Sequence, residues 1–133
     1  MRATRLITLA CLFIGFSASS SFAQQDVRVF DKKFLAVSAA LWGSTILDAE
    51  TTRSCMGLGA CREENPIMQP FFKAGRPATY GFYAGANSAL LYSSYRLRKS
   101  SNPTARKLWW VVPVITAAGH AIIGGASLRF SFK

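Results

Sequence analysis

Acid is scarce in this sequence and histidine scarcer still. Its 133 residues hold 6 Asp and Glu against 16 Lys and Arg, with a single histidine, three cysteines and five prolines. One histidine, His120, excludes a typical zinc site unless carboxylates complete it, so neither a metal nor a cofactor is expected. No nucleophile elbow and no Ser-His-Asp spacing is present, which removes the common hydrolase templates. Zinc-finger, RNP-like and basic-region patterns are missing too. The formal net charge of +10 therefore does not indicate nucleic-acid binding.

Charge is also lacking in particular places. It is almost excluded from four apolar blocks and collects between them, as in Arg96-Leu97-Arg98-Lys99 and Arg106-Lys107. A soluble amphipathic helix would mix charge into every second turn. Segregation of this kind marks a membrane chain whose cations grip lipid headgroups at the ends of each block. The blocks have helical rather than two-residue periodicity, so the expected class is all-α and a barrel is not expected.

The first block reads as a secretory signal peptide, residues 1–23. Arg2 and Arg5 precede an apolar core at 6–16, and Ser21 and Ala23 supply the small residues for cleavage before Gln24. Its style is bacterial, which implies the inner membrane as destination. A polar lead at 24–33 follows, then a three-span helical membrane domain over 34–128 and a tail at 129–133. The spans are expected at about 34–52, 78–95 and 108–128. In the loop at 53–77, Asn65 is a natural N-cap and Pro66 a natural first helical residue. Ile67, Met68, Phe71 and Phe72 then form a short interfacial helix broken by Pro70. Gly81 and Gly85 give one small-residue packing seam, and Ala117, Ala121 and Gly125 a second. Trp109-Trp110 is an interfacial anchor.

Polar side chains inside spans are the candidates for function, because lipid penalises them unless they are paired or used. At about 1.5 Å per residue, Asp48 lies roughly 5 Å from the loop side, Ser44 about 11 Å, and Asn87 and His120 about 13 Å. Ser44, Asp48 and Thr52 share one face of the first helix by their spacing of four. Three helices could thus converge on Asp48, Asn87 and His120. Two readings compete: interhelical hydrogen bonds that fix packing, or an intramembrane site in which Asp48 orients His120 as proton carrier or ligand contact. Cys55 and Cys61, with five residues between them, can close a small disulfide ring in an oxidising compartment.

The run from Asp48 to Met68 resembles an uncharacterised family of small bacterial multi-spanning membrane proteins. The resemblance is carried by an Asp-x-x-x-Thr helix end, here Asp48-Ala-Glu-Thr-Thr52, and by Glu63-Glu-Asn65-Pro66 with Ile67-Met68 after it. It implies a membrane-integral fold, and that Asp48, Thr52, Glu63 and Asn65 matter together. It implies no reaction.

Topology signals conflict. A cleaved signal peptide starts Gln24 outside, and that orientation leaves eight Lys and Arg outside against six inside, where the positive-inside rule prefers the reverse. The signal-derived orientation is the one expected here. The function expected is a non-catalytic accessory or scaffold protein in the lipid bilayer, packed on a membrane-protein partner or on further copies of itself. The alternative is a small-molecule-binding or enzymatic site on Asp48, Asn87 and His120.

Overall fold

The structure, a computed structural model, describes residues 29–131, and every regular element among them is a helix. The expected signal peptide, residues 24–28 of the lead and residues 132–133 lie outside the described residues. The helices are α1 (Lys32–Gly57), α2 (Gln69–Ala74), α3 (Arg76–Arg98), α4 (Pro103–Leu108) and α5 (Val111–Ser131).

Capping chemistry sets the boundaries. The Asp31 carboxylate accepts from the Phe34 amide at 2.9 Å and starts α1. Lys32 and Lys33 therefore belong to the helix and not to the lead. The helix does not stop at Thr52 as expected. Nothing in Arg53-Ser54-Cys55-Met56 breaks it, and it runs on until Leu58 caps it and Gly59 turns left-handed at φ +68°.

Asn65 accepts from the Ile67 amide at 3.0 Å through its side chain, and from Met68 and Gln69 through its carbonyl. This makes a turn at 66–68, so α2 starts at Gln69 and Pro70 opens it instead of breaking it. The basic turn is likewise shorter than expected. Asn102 accepts from the Thr104 and Ala105 amides, and Pro103 begins a helix there. The tail is corrected as well, since α5 extends through Arg129 to Ser131.

Only one stretch among the described residues, Pro103–Phe130, is long and apolar enough to cross a membrane by length and composition, its most apolar 18-residue window having a mean hydropathy of 1.6. Three were expected. The helices α1 and α3 have the length, at 26 and 23 residues. Their hydroxyl, amide and charged side chains lower their apolarity below that of α5.

The three long helices run up, down and up. Parallel α1 and α5 meet from Phe34 against Trp109 at one end to Asp48 against His120 further along. Returning antiparallel, α3 joins Arg98 to Asp31, Asn87 to Thr45 and Thr79 to Arg53. On α1 the buried seam is Leu41, Thr45, Asp48, Thr52 and Cys55, an alternation of four and three that keeps one stripe towards a partner helix. Facing it, α5 buries Pro113, Ala117 and Gly124. At Gly124 the helices touch backbone to backbone: a Cβ there would lie 3.0 Å from both N and Cα of Asp48. The expected seams need correcting. Of Ala117, Ala121 and Gly125 only Ala117 is buried, while Gly81 and Gly85 face outward, and a methyl group at either would find nothing within 4 Å.

A small apolar cluster closes each end: Val29, Phe34 and Trp109 at the first, and Ala49, Met68, Phe72 and Tyr83 at the second. At the first end Arg98 grips both oxygens of Asp31 and lies 4.9 Å over the Trp109 ring. Hydrogen bonding to that guanidinium holds the Asp31 carboxyl well below the usual carboxylate range, and raises Arg98 in turn. At the second end Arg76 bonds Glu50 through two nitrogens, and Tyr80 donates to Glu50 at 2.7 Å. The Glu50 hydrogen bond raises the Arg76 pKa. Cys55, on the last turn of α1 and fully buried, is joined to Cys61 by a disulfide with Cα atoms 5.5 Å apart.

Candidate functional site

The polar contact that joins α1 to α5 is His120 Nδ1 to Asp48 Oδ2, at 2.7 Å. Two features of the chain bring these side chains together. Asp48 occupies a buried position of the α1 seam and is 6% exposed. Gly124, one turn beyond His120, lets the α5 backbone come close enough for the imidazole to reach across. Thr52, four residues after Asp48 and so above it on the same face, donates to Asp48 Oδ1 at 3.1 Å. Both carboxylate oxygens are therefore engaged, one within the helix and one between helices.

Asn87 lies one turn away and does not join that pair. Its amide donates to Thr45 Oγ1 at 3.2 Å, and the Thr45 hydroxyl in turn donates to the Leu41 carbonyl at 2.8 Å. The expected three-way meeting of Asp48, Asn87 and His120 is thus two adjacent bonds, one to α5 and one to α3. Ser44 is not in either. Its hydroxyl turns back to the Leu41 carbonyl at 3.0 Å, since Thr45 rather than Ser44 falls on the buried stripe.

A cavity of about 250 Å³ opens beside the pair, and Asp48, Asn87 and His120 all line it. Glu63 and Asn65 line it from the loop, with Phe82 and Tyr83 from α3. The Tyr83 ring meets the imidazole edge to face, with centroids 5.6 Å apart and planes at 84°. Glu63 also accepts from the Asn65 amide at 2.9 Å, and Gln69 donates to the Glu63 carbonyl at 2.8 Å. These bonds hold the loop across the cavity mouth. The two segments of the Asp-x-x-x-Thr and Glu-x-Asn-Pro resemblance, ten residues and more apart in sequence, therefore border one space.

Chemically, the arrangement holds an imidazole by one nitrogen. With Nδ1 on a carboxylate, Nε2 is the nitrogen left to face a visitor, and no described residue bonds to it. A His–Asp pair of this kind can hold a ligand hydrogen bond or relay a proton. No group of three or more His, Cys, Asp or Glu is placed to hold a metal ion among the described residues.

Thr45 and Tyr83 are the members that residue-by-residue reading undervalues. The signal for Thr45 is present: the alternation of four and three through Leu41, Thr45, Asp48, Thr52 and Cys55 places it inward, where spacing by four alone selects Ser44. Comparison of the chain with protein-family models, with curated proteins and with solved structures finds no match.

Proposed function

We propose that this chain is a small integral protein of the bacterial inner membrane whose three long helices form a bundle in lipid, with a non-catalytic accessory or scaffold role. One observation carries the reading. Apart from Leu41 and the apolar clusters at its two ends, the bundle turns polar side chains inward and large apolar ones outward. Thr45, Asp48, Thr51, Thr52, Thr79, Asn87 and Ser94 are buried, while Leu35, Ile46, Leu47, Val112, Ile115, Ile122, Ile123 and Phe130 are exposed. In water that distribution forfeits the burial that stabilises a fold, about 1.5–3 kcal/mol for each large side chain left outside. In lipid it is favourable, because only unpaired polar groups are penalised there.

Hydroxyl geometry supports the same medium. Ser38, Thr45, Thr51, Ser93, Ser94 and Thr116 each donate to the carbonyl four residues back. The residues that lower the hydropathy of α1 and α3 thus satisfy themselves on their own helices. Asp48 faces His120 instead of lipid, and α3 is uncharged from Pro77 to Tyr95, about 28 Å of helix. Three spans follow on this reading, with Asp48 and Glu50 towards the loop end of α1. The open face at Gly81 and Gly85 suits close approach of another helix, from a partner protein or from a second copy. The shared cavity lining of Asp48, Glu63 and Asn65 supports placing the chain with the uncharacterised multi-spanning family it resembles. Blue-native electrophoresis after mild detergent extraction tests the scaffold role: a higher-mass band is expected, and a sharp monomer with nothing co-purifying contradicts it.

A second reading is favoured by the cavity itself, which presents the His120 imidazole, two carboxylates and two amides to a small ligand. On that reading His120→Ala removes a cellular phenotype at unchanged membrane abundance. Parallel loss of abundance returns the pair to a packing role.

A further inference from the structure

At the end of the bundle away from the disulfide, the chain concentrates positive charge. Lys32 and Lys33 open α1, Arg96, Arg98 and Lys99 close α3, and Arg106 and Lys107 lie on α4. Among the described residues Asp31 is the one carboxylate at this end, and it is already held by Arg98 while capping α1. It does not reach the rim lysines Lys33 and Lys107, both exposed.

Between these cations lies a cleft of about 520 Å³, bounded on the α1 side by Lys33, Ala36 and Val37 and on the other by Arg106, Lys107, Trp109 and Trp110. Its wall is firm. Trp109 is buried, stacked on Phe34 at 5.6 Å and covered by Arg98 at 4.9 Å. Trp110 is 45% exposed. A cationic rim above an aliphatic and indole wall fits a molecule that is anionic at one end and apolar at the other. The exposed apolar residues of α5, Val112, Ile115 and Ile122, begin two residues after Trp110 in the chain and continue along the helix away from the rim.

We propose that this cleft binds the phosphate of an anionic phospholipid, with Lys33 and Lys107 on the headgroup, the indoles at the glycerol level and an acyl chain along α5. The proposal rests on the membrane reading above. Indoles sit at headgroup depth in membranes, and basic residues there favour anionic lipid. A free anion would use the rim alone, whereas a phospholipid uses the rim, the indole wall and the apolar stripe together. That continuity selects the lipid.

The test uses the whole chain in vesicles of phosphatidylcholine containing about one-fifth phosphatidylglycerol. Bromine is placed on the acyl chains of one lipid at a time and tryptophan quenching is read. Brominated phosphatidylglycerol is expected to quench more than its mole fraction allows, with local enrichment of about fivefold for each cation engaged. The Lys33→Gln/Lys107→Gln variant should lose that excess while keeping its helical circular dichroism. Lys73→Gln, at the other end, should keep it. Equal quenching by the two lipids in the unmodified chain overturns the proposal, as does an excess unchanged in the double variant. Abolition of the excess by millimolar inorganic phosphate at matched ionic strength overturns it in favour of a free-anion site. Absence of quenching by either lipid overturns the membrane reading itself, and the proposal with it.

Discussion

Gly124 and the Gly81–Gly85 pair look alike in sequence and behave oppositely in the fold. At Gly124 the α5 backbone lies against that of α1, and a methyl group would meet Asp48 backbone atoms at 3.0 Å. At Gly81 and Gly85 the same methyl meets nothing within 4 Å. The first glycine is used inside the chain and the pair is left unused by it. A small-residue spacing thus says that a backbone could come close, but not which one does. The contrast also locates the polar layer, since the approach at Gly124 is what allows His120 to reach Asp48.

The sharpest way to break the comparison is to fill each side. Gly124→Leu should destabilise the bundle by about 3 kcal/mol or more, because the obstructing atoms are backbone and cannot rotate away. Denaturant titration in detergent micelles reads this, and an unchanged midpoint would remove Gly124 from the seam. Opening the disulfide is expected to cost roughly 2 kcal/mol, from the small loop it closes, measured as the midpoint of Cys55→Ser/Cys61→Ser against the parent. The same bond offers a test of orientation. Because it needs an oxidising side, a membrane-impermeant thiol reagent should label intact cells only after reduction. Labelling that requires permeabilised cells would put the loop in the cytoplasm, as the signal-derived orientation expects.

Removing the carboxylate at the site, by Asp48→Ala, should cost about 1–3 kcal/mol, since the His120 nitrogen and the Thr52 hydroxyl lose their shared acceptor. Asp48→Asn should cost less, because it keeps an acceptor oxygen. Equal losses for the two would mean that the charge and not the hydrogen bond matters.

Acid should weaken the opposite end. Arg98 depresses the Asp31 pKa in the folded chain, so the stabilisation is complete above the unfolded carboxylate pKa of about 4 and fades as pH falls below it. An Asp31→Asn variant should lack that acid-side slope, and a slope that survives the substitution assigns it to another group. The smallest effect expected on the isolated chain is from Gly81→Leu, within about 0.5 kcal/mol of zero. Its consequence should appear only in association, as loss of the higher-mass species on native electrophoresis.

The helical class and the approximate places of the long helices were legible in the sequence, because charge segregation and apolar blocks survive in any context. Their ends were not. Asp31 and Asn102 act as caps through their side chains, and Arg53 to Gly57 stay helical because the disulfide and burial of Cys55 reward it. Pro66 looked like a first helical residue and lies in a turn, while Pro70, read as a break, opens α2. Within the site, Asp48 and His120 were legible as polar side chains inside expected spans, although their expected depths of about 5 and 13 Å set them more than a turn apart. The partner of Asn87 was missed, since spacing by four from Asp48 selects Ser44, whereas the alternation of four and three from Leu41 to Cys55 selects Thr45. On the membrane reading, apolarity alone undercounts α1 and α3, as hydropathy assigns their hydroxyls to solvent while Ser38, Thr45, Thr51, Ser93 and Ser94 bond backbone carbonyls.

Lipid around an inward-polar bundle is the claim on which the rest depends, and alkaline carbonate extraction of membranes from expressing cells tests it most directly. The chain is expected to stay in the membrane pellet and to leave it only with detergent. Release into the carbonate supernatant as a folded helical protein would contradict the account.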